Sequence, residues 1–193
     1  MKKPKILCFA GSLRKDSFNK KLLRNAALGA KEEGADITVI DLEDYPLPIY
    51  NQEDEDKNGL PENALTLKNL MKEHQGLLIA SPEYNSSISG VLKNTIDWIS
   101  RPHPSDKVYL EPFIDKVAVI MSASPGNLGG LRGLVHLRSL LGNINVIVLP
   151  EQLAIPNAGE AFLEDGSFKD PKKQESAKKM GKKLAEFLKK LEK

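Results

Sequence analysis

Short apolar runs alternate along this chain with longer stretches of helical period, and no other feature constrains the fold as tightly. The runs Lys5 to Ala10, Asp36 to Asp41, Gly76 to Ala80, Lys116 to Ala123 and Asn145 to Leu149 are rich in Ile, Leu and Val and end in turn formers. Between them, Asn19 to Glu33, Glu62 to Glu73, Ser89 to Ser100 and Gly130 to Leu141 carry apolar residues three and four apart, and Lys172 to Lys190 closes the chain. A strand buried on both faces reads as a continuous apolar run, and strands alternating with helices are the mark of βαβ units. An α/β fold with five parallel strands and helices on both faces is expected. With 193 residues and 40% hydrophobic content, residues 1–193 are expected to form one domain. The acidic stretch Glu53 to Asp56, ahead of Gly59 and Pro61, reads as a solvated loop.

Charge narrows the partners. Lys plus Arg number 28 against 26 for Asp plus Glu, so a net charge of +2 supplies no field for nucleic acid or a membrane surface. A small-molecule partner is expected. The lone cysteine, Cys8, excludes an intramolecular disulfide and a cysteine zinc cage, and it suits a reducing, cytoplasmic location. It lies in an apolar strand and reads as a buried structural thiol. The apolar run after Met1 stops at Gly11, too short for a secretory core or a membrane span. His74, His103 and His136 are scattered and lack metal-ligand spacing. Arg101 reads equally as a surface residue or as one that reaches a nicotinamide phosphate or a neighbouring subunit. In the lysine-rich end, Ala177, Met180, Leu184, Phe187, Leu188 and Leu191 form one apolar stripe, which predicts a docking helix with a solvated face.

Ligands of open α/β sheets bind beyond the carboxyl ends of the strands, and three such loops here are chemically unusual. The first, Gly11 to Asn19, joins a strand directly to a helix. Backbone N–H groups and the helix dipole face it, and Ser12, Ser17, the Asn19 amide and the Arg14 fork add donors suited to a phosphate. It contains neither Gly-Lys-Ser/Thr nor G-x-G-x-x-G, so a terminal monophosphate fits better than a triphosphate or a dinucleotide pyrophosphate. The plainer reading is that these residues only cap the helix, and Asp16 leans that way, because a carboxylate beside a phosphate is repulsive. In the second loop, Ser81 to Gly90, Pro82 stiffens the turn, Tyr84 offers a flat face, and Asn85 both donates and accepts at the edge of a heterocycle. Ser89 reads as the N-cap of the following helix. The third, Ser122 through Ser124 to Gly130, has small residues that let a ligand touch the backbone, although Gly-rich turns are also common for packing reasons.

Together, Gly11-Ser12-Leu13-Arg14 with Ser17, Phe18 and Asn19, then Pro82-Glu83-Tyr84-Asn85 through Gly90, Leu92, Lys93, Asn94, Asp97 and Trp98, then Gly126 with Gly129-Gly130, resemble the NADPH-dependent FMN reductase family. His136-Leu137-Arg138 is a further echo, so the resemblance spans roughly the first 140 residues. It implies a flavodoxin-like three-layer sandwich with strand order 2-1-3-4-5. It also implies a noncovalent FMN, with its phosphate on Ser12, Arg14, Ser17 and Asn19. The ring would lie beside Pro82, Glu83, Tyr84 and Asn85, with the turn carrying Ser122, Ser124 and Gly126 on another side. Family members form dimers or dimer pairs, and a homodimer or homotetramer is implied here. They reduce quinones, azo dyes, nitro compounds or oxidised metal anions with NADPH or NADH. Asp16 departs from the small residue common in the family's phosphate loop.

The activity implied is hydride transfer from a nicotinamide to flavin N5, followed by two-electron reduction of a small acceptor, with no catalytic acid or base from the protein. A single-electron carrier on the same fold is the alternative, but dedicated carriers are strongly acidic and this chain has an estimated pI of 8.5. A flavin-free hydrolase or transferase sharing the fold is the third class.

Overall fold

The computed structural model describes residues 3–191. Its elements in chain order are β1 (Lys5–Ala10), α1 (Phe18–Glu32), β2 (Asp36–Ile40), α2 (Gln52–Asn58), α3 (Glu62–Glu73), β3 (Gly76–Ala80), β4 (Glu83–Tyr84), β5 (Ser87–Ile88), α4 (Gly90–Ile99), β6 (Val117–Ala123), α5 (Leu131–Asn143), β7 (Ile147–Ile155), α6 (Ala158–Ala161) and α7 (Pro171–Leu191). The main sheet is parallel throughout, in the order β2-β1-β3-β6-β7. Setting aside the small β4–β5 hairpin, this is the expected 2-1-3-4-5 arrangement.

Two-residue periodicity divides the core. On β1, β3 and β6, the residues Ile6, Cys8, Ala10, Leu78, Ala80, Val117, Val119, Met121 and Ala123 face α1 and α7. Leu7, Phe9, Leu77, Ile79, Ala118 and Ile120 face α3, α4 and α5. Every residue of β3 and β6 is buried, which is why these strands read as unbroken apolar runs. The predicted docking helix is α7, which buries Ala177, Met180, Leu184 and Leu188.

Two expectations are corrected. The acidic stretch is helical: α2 spans Gln52–Asn58, and the Asn51 side chain accepts from the Glu53 N–H at its start. Glu53, Asp54 and Glu55 sit at the positive end of the helix dipole. No residue of α2 is buried, so no apolar period marked it. The last strand also continues past Leu149 to Ile155, through Pro150. The β6–β7 register shifts between Ala118 and Ile120, where Val148 and Gln152 are the successive partners. Pro150 falls in that irregularity on an edge strand, where its missing N–H breaks no ladder.

Candidate functional site

The carboxyl ends of β1, β3 and β6 bring the three loops to one pocket. Ser12, Arg14, Ser17, Phe18 and Asn19 line one side of it, Pro82, Glu83 and Tyr84 a second, and Ala123, Ser124 and Pro125 the third. Wider depressions lie along α1 and α7 and beside edge strand β2, away from these strand ends.

Three ties hold the loops together. The Asn19 amide donates to the Ala123 carbonyl at 2.9 Å and accepts from the Ala123 N–H at 2.9 Å, joining the first loop to the third. The Ser89 hydroxyl donates to the Gly11 carbonyl at 2.6 Å and also accepts from the Leu92 N–H, so the expected N-cap of α4 joins the second loop to the first. A side chain at Gly11 would meet Leu92 Cβ at 2.9 Å, so this approach requires glycine. The third tie is Glu83, whose carboxylate accepts from the Gly133 N–H at 3.0 Å and from Arg132 at 2.7 and 3.0 Å. Burial pushes the Glu83 carboxyl up, but the Gly133 and Arg132 donors outweigh it and hold the pKa below the usual carboxylate range.

These ties bear on two residue roles. Asn19, expected to offer its amide to a phosphate, commits its Oδ1 and one amide N–H to Ala123. It also presents a backbone N–H in the first turn of α1, where helix N–H groups have no intrahelical acceptor. Glu83, expected beside a ring, lines the pocket and also fixes the second loop to the start of α5. Asn85 and Ser86 form the two-residue turn between β4 and β5, with φ of 51° and 65°. Two successive positive values match a type I′ hairpin, so Asn85 is at a turn that favours it and not on the pocket wall.

Ser122 is corrected as well. Its side chain points inward, fully buried beneath Gly130, and its Oγ has no hydrogen-bond partner. Gly130 has φ of +89°, and a Cβ there would collide with Ser122 Oγ. A small residue is required at both positions. Ser124 lines the pocket, its Oγ accepting from the Gly126 N–H at 3.3 Å, while Gly126 itself is exposed in the turn.

The first loop carries the pocket's anion chemistry. Ser12 and Ser17 are 2% and 3% exposed, and Ser17 is the N-cap of α1 without making a side-chain cap bond. No acidic residue occupies the first turn of α1, and Asp16 is exposed and not part of the pocket wall. Arg14 lines the pocket without an ion-pair partner among the described residues. Two hydroxyls, a guanidinium and free helix N–H groups thus converge, the Glu83 carboxylate on the facing wall is already engaged by Arg132 and the Gly133 N–H, and a group with several anionic oxygens fits this cradle.

Other residues are accounted for structurally. Arg101 Nε donates to both oxygens of Glu55 at 2.8 and 3.0 Å, and the Tyr50 hydroxyl donates to Glu55 at 2.9 Å, so Arg101 anchors α2. His74 is buried between the Leu70 carbonyl and Thr38 Oγ1. His103 bonds Ser105 in its own loop, and His136 bonds Ser87 of the hairpin. Among the described residues, no three His, Cys, Asp or Glu side chains cluster to hold a metal ion, and no helix is long and apolar enough to cross a membrane.

A family model described as NADPH-dependent FMN reductase matches residues 4–160. Over 172 residues the chain is 37% identical to an NAD(P)H-dependent FMN reductase of Pseudomonas aeruginosa, covering 89% of this chain and 88% of the relative. It is 32% identical over 150 residues to a quinone reductase of Escherichia coli (strain K12), covering 76% and 74%. A flavoenzyme NAD(P)H:(acceptor) oxidoreductase from Paracoccus denitrificans superposes with a TM-score of 0.80 at 28% identity, covering 97% of this chain and 98% of that one.

Proposed function

The chain belongs to the NADPH-dependent FMN reductase family, and from that premise we propose that its flavin is held where the three strand-end loops meet. The activity is FMN-dependent oxidation of NAD(P)H with two-electron reduction of a small acceptor, and the quinone reductases among its relatives favour a quinone. Azo and nitro compounds, free flavin and oxidised metal anions are further acceptors that the reading includes. Residues 1–193 act as one FMN-binding unit.

The single observation that carries the site assignment is the uncapped start of α1, flanked by the buried hydroxyls of Ser12 and Ser17 and by Arg14. Ser12, Ser17, Arg14 and the first N–H groups of α1, that of Asn19 included, hold the phosphate. Bound FMN supplies the hydride and electron chemistry, and the protein supplies binding, orientation and electrostatics. Tyr84, half-exposed at the pocket, gives the ring a flat neighbour, and Pro82 keeps that loop stiff. Ser124 and the turn at Gly126 would supply hydrogen-bond donors to the bound group from the third loop. No side chain here has to move a proton. The ties at Asn19, Ser89 and Glu83 join the three loops to one another and to the helices behind them, which limits what binding must order.

The exposed apolar side chains Leu128, Leu131 and Val135, at and just before α5, which packs on the hairpin that carries Tyr84, support a homodimer or homotetramer with this rim at or near a subunit boundary. Sedimentation of the protein tests this, and a strict monomer would remove it. A cytoplasmic location agrees with the single buried thiol.

The test of function is an anaerobic absorbance titration of protein reconstituted with FMN and desalted. Retained flavin absorbance bleaches stoichiometrically with NADPH and returns when a quinone is added. Retained flavin that NADPH cannot bleach would point to a single-electron carrier, and no retained flavin would refute the site.

A further inference from the structure

Arg14 has a long, exposed side chain and no carboxylate partner among the described residues, yet it is not unsupported. Its guanidinium carbon lies 5.9 Å from the centroid of the Phe18 ring, within reach of cation–π attraction. Phe18 stacks in turn on Phe162, with centroids 6.2 Å apart and planes 6° from parallel, and Phe162 meets Phe168 at 4.4 Å. Phe162 and Phe168 are 7% and 5% exposed, and both lie beyond residue 160, where the family match ends.

The segment carrying these rings is fixed at both ends. The Ala158 N–H donates to the Ser124 carbonyl at 3.0 Å, linking it to the third loop. Phe162 and Phe168 pair as an antiparallel bridge, closed by the Leu163 N–H to the Ser167 carbonyl at 2.8 Å. The Phe168 N–H donates to the Gln174 side chain at 3.0 Å, on α7. An aromatic column thus runs from the C-terminal part of the chain to Arg14, the cation that lines the phosphate cradle.

We propose that Phe18 is a positioning residue for the cofactor's phosphate, its ring, backed by Phe162, holding the Arg14 guanidinium at the cradle. This rests on the phosphate-site reading above. Arginine carries a large rotamer entropy, and holding it over a ring beforehand lowers what binding must immobilise.

The apoprotein titrated with FMN and with riboflavin, followed by quenching of flavin fluorescence, separates the phosphate contribution from the rest of the ligand. In Phe18→Leu the Kd for FMN should rise about three- to fivefold, as loss of an exposed cation–π contact implies, while that for riboflavin stays constant. Phe18→Tyr should restore the FMN preference, and Phe162→Leu should shift the same ratio by a smaller factor. In an Arg14→Ala background, Phe18→Leu should no longer change the ratio. Equal weakening of FMN and riboflavin in Phe18→Leu, or an effect additive with Arg14→Ala, would overturn the proposal while leaving the phosphate site standing. If Arg14→Ala itself leaves the FMN to riboflavin ratio unchanged, the site assignment falls and this inference with it.

Discussion

Asn19 and Ala123 lie 104 residues apart and exchange a reciprocal pair of hydrogen bonds, amide to carbonyl and N–H to amide oxygen, each of 2.9 Å. Both residues are buried, so the pair is shielded from water and neither backbone group of Ala123 has a ready substitute. Asn19→Ala should therefore destabilise the protein by about 2 kcal/mol, read as a lower urea midpoint at unchanged slope. FMN affinity should fall with it, because the first loop would lose its register on the third. An unchanged midpoint would mean that the pair contributes nothing net.

Glu83 predicts a pH dependence. Its folded pKa lies below its unfolded value, so the stabilisation is full above the ordinary carboxylate range and is lost as pH falls through the lowered folded pKa. Below the ordinary value the unfolded chain binds the proton more readily, which favours unfolding. Glu83→Gln should thus be less stable than the parent at neutral pH, and the gap should narrow as acid protonates Glu83. Paired urea titrations at neutral and acid pH measure it, and a gap independent of pH would show that the clamp is not electrostatic.

Lys68 is almost fully buried, yet its ammonium donates to the Arg101 carbonyl at 2.6 Å and the Ile99 carbonyl at 3.3 Å and pairs with Asp106 at 2.8 Å. Burial pushes the Asp106 carboxyl up, but Lys68, Lys72 and the His103 N–H hold it below its usual range. Lys68→Met would leave two carbonyls unpaired and Asp106 with Lys72 as its remaining cation, a loss of about 3 kcal/mol. Differential scanning calorimetry should register a clear fall in Tm.

Cys8 is 0% exposed, and burial pushes its thiol up to about 12. Since the thiolate is the reactive form, a thiol-specific reagent should leave Cys8 unmodified in the native protein at about pH 8 and label it fully in denaturant. Rapid native labelling would contradict the burial of β1.

The central layers were legible in the amino-acid order because burial on both faces leaves an unmistakable pattern. β1, β3 and α3 begin and end at the residues the apolar runs and periods predict. α2 was not legible, since a helix with no buried residue has no apolar period; Tyr50, Arg101 and the Asn51 cap hold it in place. The end of β7 was missed because Pro150 signals a break, and only an irregular register on the neighbouring strand makes it harmless.

The site divides along the same line. Residue type and position at the strand ends marked Ser12, Arg14, Ser17, Tyr84 and Ser124, and all five line the pocket. Which side chains tie loops together, as Asn19 and Glu83 do, depended on partners about 50 to 100 residues away in the chain, whereas Ser122 turns inward by the alternation of β6 and meets Gly130. Local spacing sets the direction in which a side chain leaves the backbone. The group it meets there is set by sheet order and helix packing, so donors and acceptors acquire their roles only when the strands are side by side.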